Sequence, residues 1–150
     1  MARFNALPHT RAVAALLACC GCPRWAERIA AHRPYPDPAA LLAAGEEAGY
    51  DLTPAEQTRA LTREPPARPG PGTLAAHTAL RAAHAAYERR FRHAFVISLD
   101  GCRDDEKLNQ TLHALRTRLA HEPDEERSVA ADALRRLART RLAQLAVICP

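Results

Sequence analysis

Hydrophobic positions recur at steps of three and four along most of the chain, and that period predicts helices. Between Thr10 and Cys19, Val13, Leu16 and Leu17 fall on one face. Pro23 stands where a first-turn proline belongs, ahead of Trp25, Ile29 and Ala30, which predicts a second helix ending near Arg33. Arg33-Pro34-Tyr35-Pro36 must be extended, since a residue before proline avoids the helical region. Asp37-Pro38 reads as the N-cap and first residue of a third helix bearing Leu41 and Leu42. Thr53-Pro54-Ala55-Glu56 is the capping box of a short fourth. The stretch from Arg63 to Gly72 then holds Pro65, Pro66, Pro69 and Pro71, so no helix or central strand continues through it. Beyond it, His77, Leu80, His84, Tyr87 and Phe91 share one face of a long helix from about Thr73. Leu108, Leu112, Leu115 and Leu119 form a stripe after Asp104. A last helix from about Asp124 to Leu145 places Ala130, Leu134, Leu137, Arg141 and Leu145 together. Phe95-Val96-Ile97-Ser98-Leu99 is the one run of strand character, and a strand without a partner makes no sheet, so it is expected as an extended connector buried among helices. The expected fold is all-α, a single-domain multi-helix bundle over residues 1–150 with a core at about 4–146.

Composition narrows the function. The formal charge is +4 with a pI near 9.0, and all but one of the 21 basic side chains are arginine, Lys107 being the exception. Acidic residues are interspersed among them, so a small anionic ligand suits the chain as well as a nucleic acid does, and no helix-turn-helix pattern supports the latter. No apolar run approaches the roughly 18 residues of a membrane span, and the N-terminus lacks a signal-peptide pattern. A cytoplasmic protein without nucleic-acid or membrane partners is expected. Cys19, Cys20, Cys22, Cys102 and Cys149 make an odd number, unlike a disulfide framework. Cys19-Cys20-Gly21-Cys22 lacks the second Cys or His pair of a zinc site. Buried thiols and no metal are the expectation.

Arg141 is the most informative polar residue, because a guanidinium on an apolar stripe needs an anion or several acceptors to offset its desolvation. A carboxylate substrate would supply them; so would an internal ion pair or a head that snorkels to water. His77 and His84 lie on the stripe of the long helix, as satisfied core residues or as site residues. His113 and His121 fall off the Leu stripe, where exposure is expected.

The order of particular residues says more. Phe4-Asn5-Ala6-Leu7, Cys20 through Trp25, Arg33-Pro34-Tyr35, Ala60-Leu61, Tyr87-Glu88-Arg89-Arg90-Phe91, Phe95-Val96-Ile97 and Arg139-Thr140-Arg141-Leu142 follow one another at suitable spacing. Together they resemble the 2-oxo-4-hydroxy-4-carboxy-5-ureidoimidazoline (OHCU) decarboxylases of urate breakdown, over about Phe4 to Leu145. The resemblance implies an all-helical homodimer that decarboxylates a small anionic ureidoimidazoline to S-allantoin, with no metal or organic cofactor.

It also marks departures. Where that family places a His-Pro pair whose imidazole is the general acid, this chain has Glu64-Pro65, with Pro66, Arg68, Pro69, Pro71 and Gly72 following. The family's Ser-x-x-Glu-Gln motif has no counterpart after the loop, and the segment before Tyr87 is shorter. What the resemblance retains is Arg141, matching an arginine directed at the anionic substrate, and Phe95, Val96, Ile97, Ser98 and Leu99, matching the connector that walls the ligand; Pro65 stays beside them. Decarboxylation leaves negative charge on the reacting carbon, and a positioned acid contributes about 10² to 10⁴ in rate. An ionised Glu64 would repel the anion; a protonated one could donate. Two readings follow: a decarboxylase of weak or altered activity whose acid is Glu64 or one of His77 and His84, and a catalytically silent homologue binding an anionic ligand or a protein partner.

Overall fold

The computed structural model describes residues 1–65 and 70–148, and every regular element among them is a helix. In order these are α1 (Ala2–Ala6), α2 (His9–Cys19), α3 (Pro23–Ala31), α4 (Pro38–Tyr50), α5 (Pro54–Arg63), α6 (Leu74–Phe91), α7 (Lys107–Arg118) and α8 (Pro123–Ile148). The expected all-α class is the observed one. Pro66, Arg68 and Pro69 of the proline-rich stretch, and Cys149, lie outside the described residues.

The caps read from sequence are made. The Asp37 carboxylate accepts from the Ala40 N–H at 2.8 Å and opens α4. At α5 the Thr53 N–H donates to Glu56 Oε2 at 2.9 Å while the Glu56 N–H donates to Thr53 Oγ1 at 3.3 Å, a reciprocal capping box. A third cap, not read from the sequence, is the Thr73 hydroxyl, which accepts from the Ala76 N–H at the head of α6. Helix α1 is an addition, too short for any period to announce; its Phe4 is completely buried.

The chain divides into two compact units, one of residues 1–60 and 134–150, the other of residues 61–133. In the first, Phe4, Leu16, Trp25, Ile29, Leu41 and Leu142 are the large buried side chains. Gly45 lets α4 approach closely: a Cβ there would lie 2.6 Å from Leu142 Cδ2 and 3.4 Å from Trp25 Cζ2, and the Trp25 indole N–H donates to the Gly45 carbonyl at 2.8 Å. The extended segment after α3 is pinned by Asn5, whose amide donates to the Tyr35 carbonyl and whose Oδ1 accepts from the Tyr35 N–H. In the second unit, Leu80, Tyr87, Phe95, Leu108 and Leu115 form the core, with Leu112 and Leu119 packed against it, so the leucine stripe of α7 faces inward as its period predicts.

One face was displaced. The buried residues of α8 are Glu126, Ala130, Ala131, Leu134, Ala138, Leu142 and Ala146, whereas Leu137, Arg141 and Leu145 are only half-buried. The stripe is rotated by one position, and Arg141 stands at its edge rather than on the core face. Alanine carries much of that buried face, and so small a side chain marks a stripe weakly. Replacing Leu142 with Ala should therefore lower the unfolding free energy by roughly 2–5 kcal/mol. Leu145→Ala, at the edge, should cost less than half of that, as read from urea denaturation.

Candidate functional site

The end of α5, the last two turns of α6 and the chain leaving α6 enclose a cleft of about 400 Å³ within the second unit. Glu64, His84, His93 and Phe95 line it, with Glu88 and Arg92 also contributing. The turn that makes it is unusual for its residue. Arg92 caps α6 in the left-handed region (φ 62°, ψ 22°), a conformation usually left to glycine, while its N–H still closes the helix on the Glu88 carbonyl at 2.9 Å. This reversal folds His93 back onto Tyr87, ring centroids 5.6 Å apart and nearly perpendicular.

Each lining group has a defined setting. Glu64 is buried just past α5, its N–H on the Leu61 carbonyl. His84 is half-buried and meets Phe95 edge to face at 5.5 Å. Burial holds its imidazole below the usual range, opposed by the Glu88 carboxylate, so it is neutral near pH 7. His93 is buried, and its Nδ1 lies 3.0 Å from the Ala94 carbonyl, which accepts from Nδ1–H.

The structure thus brings Glu64, His84 and Phe95 around one cleft. Pro65 is exposed next to Glu64. Val96 is buried, and Ile97, Ser98 and Leu99 are half-buried on an extended connector, where the Ser98 hydroxyl donates to Asp100 at 2.9 Å. His77 is half-buried but does not line the cleft. Arg141 belongs to the first unit, where its Nη1 donates to the Cys19 carbonyl at 3.1 Å. Burial pushes the Cys19 thiol up to about 11 despite the Arg141 charge. None of the described cysteines forms a disulfide, and no group of three His, Cys, Asp or Glu among the described residues could hold a metal ion. No helix among the described residues is long and apolar enough to cross a membrane.

Sequence reasoning missed His93 and a buried ionic cluster. Arg118, on α7, donates through Nε and Nη2 to Glu126 Oε1 at 2.9 and 2.5 Å, and through Nη1 to the Val96 carbonyl at 2.6 Å. Tyr87 donates its hydroxyl to Glu126 Oε1 and accepts from Arg118 Nη2 at 3.2 Å, while His121 Nδ1 lies 2.9 Å from Glu126 Oε2. His121 is half-buried for this reason, not exposed as its place off the leucine stripe suggested. The signal was available. Arg118 falls three residues after Leu115, and Glu126 four before Ala130, both on inward faces.

A protein-family model described as OHCU decarboxylase matches residues 5–67 and 66–143. Two solved structures have the same fold. The crystal structure of an OHCU decarboxylase in the presence of (S)-allantoin superposes with a TM-score of 0.76 at 19% identity, covering 87% of this chain and 96% of that one. The crystal structure of an (S)-allantoin synthase gives 0.76 at 18% identity, covering 94% of this chain but 51% of that one, so this chain spans about half its length. Among curated proteins none matches the sequence.

The ionic cluster sets the response to acid and to substitution. Burial alone would raise the Glu126 carboxyl, but hydrogen bonds from Arg118 and Tyr87 and the Arg118 charge outweigh it and hold it below the usual carboxylate range. A depressed folded value means that stability is fully present above the unfolded carboxylate pKa and is lost as pH falls through the folded one. Arg118→Met should cost roughly 3–5 kcal/mol at pH 7, since it strands a buried carboxylate. The double variant Arg118→Met/Glu126→Leu should recover much of that loss and flatten the acid limb of a thermal-melt pH series.

Proposed function

The chain belongs to the OHCU decarboxylase family, and from that premise we propose that it decarboxylates OHCU to (S)-allantoin, weakly, using the Glu64 cleft. The observation that carries this reading is that Glu64 and Phe95 line the same cleft; the resemblance puts the first at the family's His position and the second at the head of the ligand-walling connector. Pro65 and the connector residues Val96 to Leu99 contact substrate in this proposal on the resemblance alone, and the resemblance alone also gives Arg141 its substrate-binding role. Homodimerisation and a cytoplasmic location belong to the same proposal.

Weak activity follows from the charge at position 64. Substrate arrives as a carboxylate, and the cleft wall sets two acidic side chains, Glu64 and Glu88, against the single guanidinium of Arg92. Freshly generated OHCU mixed with the purified protein and followed by circular dichroism tests the activity. Chiral allantoin should form faster than the spontaneous reaction and with an excess of the S form; the spontaneous rate alone would leave the silent, ligand-binding homologue as the reading. Glu64→Gln should lower KM about three- to tenfold by removing the repulsion, an interaction of the order of 1 kcal/mol.

A further inference from the structure

Loss of carbon dioxide from OHCU breaks the bond between the ring carbon and its carboxylate. The electron pair enters the conjugated carbon–nitrogen system, and one proton must be delivered to the ring carbon that becomes the stereocentre. The reaction therefore needs a donor that opens on the cleft. We propose that His93 is that donor, passing the proton on Nε2 of its imidazolium to the carbon and recovering one from solvent afterwards.

The assignment rests on the decarboxylase reading above and on four features of this chain. His93 is 8% exposed yet lines the cleft. Its tautomer is set, because Nδ1–H is held by the Ala94 carbonyl and only Nε2 is left for exchange. No described residue bonds Nε2. Since no buried side-chain nitrogen or oxygen among the described residues lacks a partner, that atom reaches solvent, and the ring that carries it lines the cleft. Finally, the ring follows the left-handed Arg92, a non-glycine backbone that persists only where its surroundings impose it. Tyr87 and Phe91 flank the ring, which fixes the direction from which a proton arrives and hence the hand of the product. Glu64, Glu88, Arg92 and His84 share the cleft with it. His84 is the weaker candidate: it is only half-buried, and neither of its nitrogens is held in one tautomer by a described residue.

His93→Asn tests this, because the Asn amide can still donate to the Ala94 carbonyl while the proton on Nε2 is gone. Its kcat for chiral allantoin should fall about 10²-fold or more, KM should stay within about threefold, and the product that does form should be racemic, because water then protonates the released intermediate. A merely structural role would not change the enantiomeric ratio. An unchanged ratio with kcat within threefold of wild type overturns the proposal. Should the variant not fold, as judged by far-UV circular dichroism, ring ¹⁵N spectra of the wild-type protein decide. Adding (S)-allantoin should shift His93 Nε2 and leave the exposed His9 unmoved; no shift at His93 overturns the proposal. Wild-type protein that only matches the spontaneous rate overturns the decarboxylase reading and His93 with it, whereas an active wild type beside an active, stereoselective variant overturns His93 alone.

Discussion

The pair of Arg118 and Glu126 is the constraint on which the second unit turns. Both side chains are buried, Glu126 completely, and removing two charges from water costs several kcal/mol per ion. Their mutual attraction offsets that only with good geometry and with the remaining donors and acceptors satisfied. Here they are: the guanidinium reaches Glu126, the Val96 carbonyl and the Tyr87 hydroxyl, and the carboxylate also takes the Tyr87 hydroxyl and lies beside His121. Such a cluster adds little net stability over an apolar core of the same volume. Its effect is registry: α6 through Tyr87, α7 through Arg118, the start of α8 through Glu126 and the connector through Val96 have one arrangement that satisfies every member.

That registry reaches the cleft through aromatic packing. Arg118 lies over the Phe95 ring at 4.5 Å and over Tyr87 at 5.6 Å, while Phe95 stands edge-on to Tyr87 with centroids 5.0 Å apart. Phe95 thus meets the cation and, on the cleft side, the edge of His84. Tyr87 in turn supports His93. A connector without strand partners would otherwise carry its backbone groups unpaired; the bond from Arg118 to the Val96 carbonyl supplies one partner, and the aromatic cluster fixes the rest of its path. The connector side of the cleft is accordingly held in one path, although no regular secondary structure runs through that side.

Local rules and non-local ones were legible to different degrees. Caps were readable because each is a short-range hydrogen bond written into adjacent residues, as at Asp37 and Thr53. The leucine stripe of α7 was readable because its apolar residues are large. Alanine at 130, 131, 138 and 146 blurred the face of α8, and the bulkier Leu137 and Leu145 at its edge drew Arg141 inward by one position. Arg118 and Glu126 sit eight residues apart on different helices, so their charges identify them as partners only once the helices are packed. His93 was hidden for another reason: nothing in the pattern announces that Arg92 adopts a glycine-like conformation, and without that turn the imidazole would not face the cleft.

Under the proposed reading, the carboxylate at position 64 weighs on binding and on chemistry to different degrees. In the proposed site its repulsion of the arriving substrate is greatest at the start, because the substrate's own charge is then localised on a carboxylate. As the carbon–carbon bond breaks, that charge spreads into the ring and is then cancelled by a proton, so the repulsion declines along the reaction path. Only interactions that change between ground and transition state alter kcat. A Glu at this position therefore weakens capture more than it slows turnover, provided that the proton comes from another group. A chain can thus lose an imidazole at one wall of a cleft and keep its chemistry if a second wall, built on an independent turn and held by an aromatic cluster, already presents a ring nitrogen to the same space.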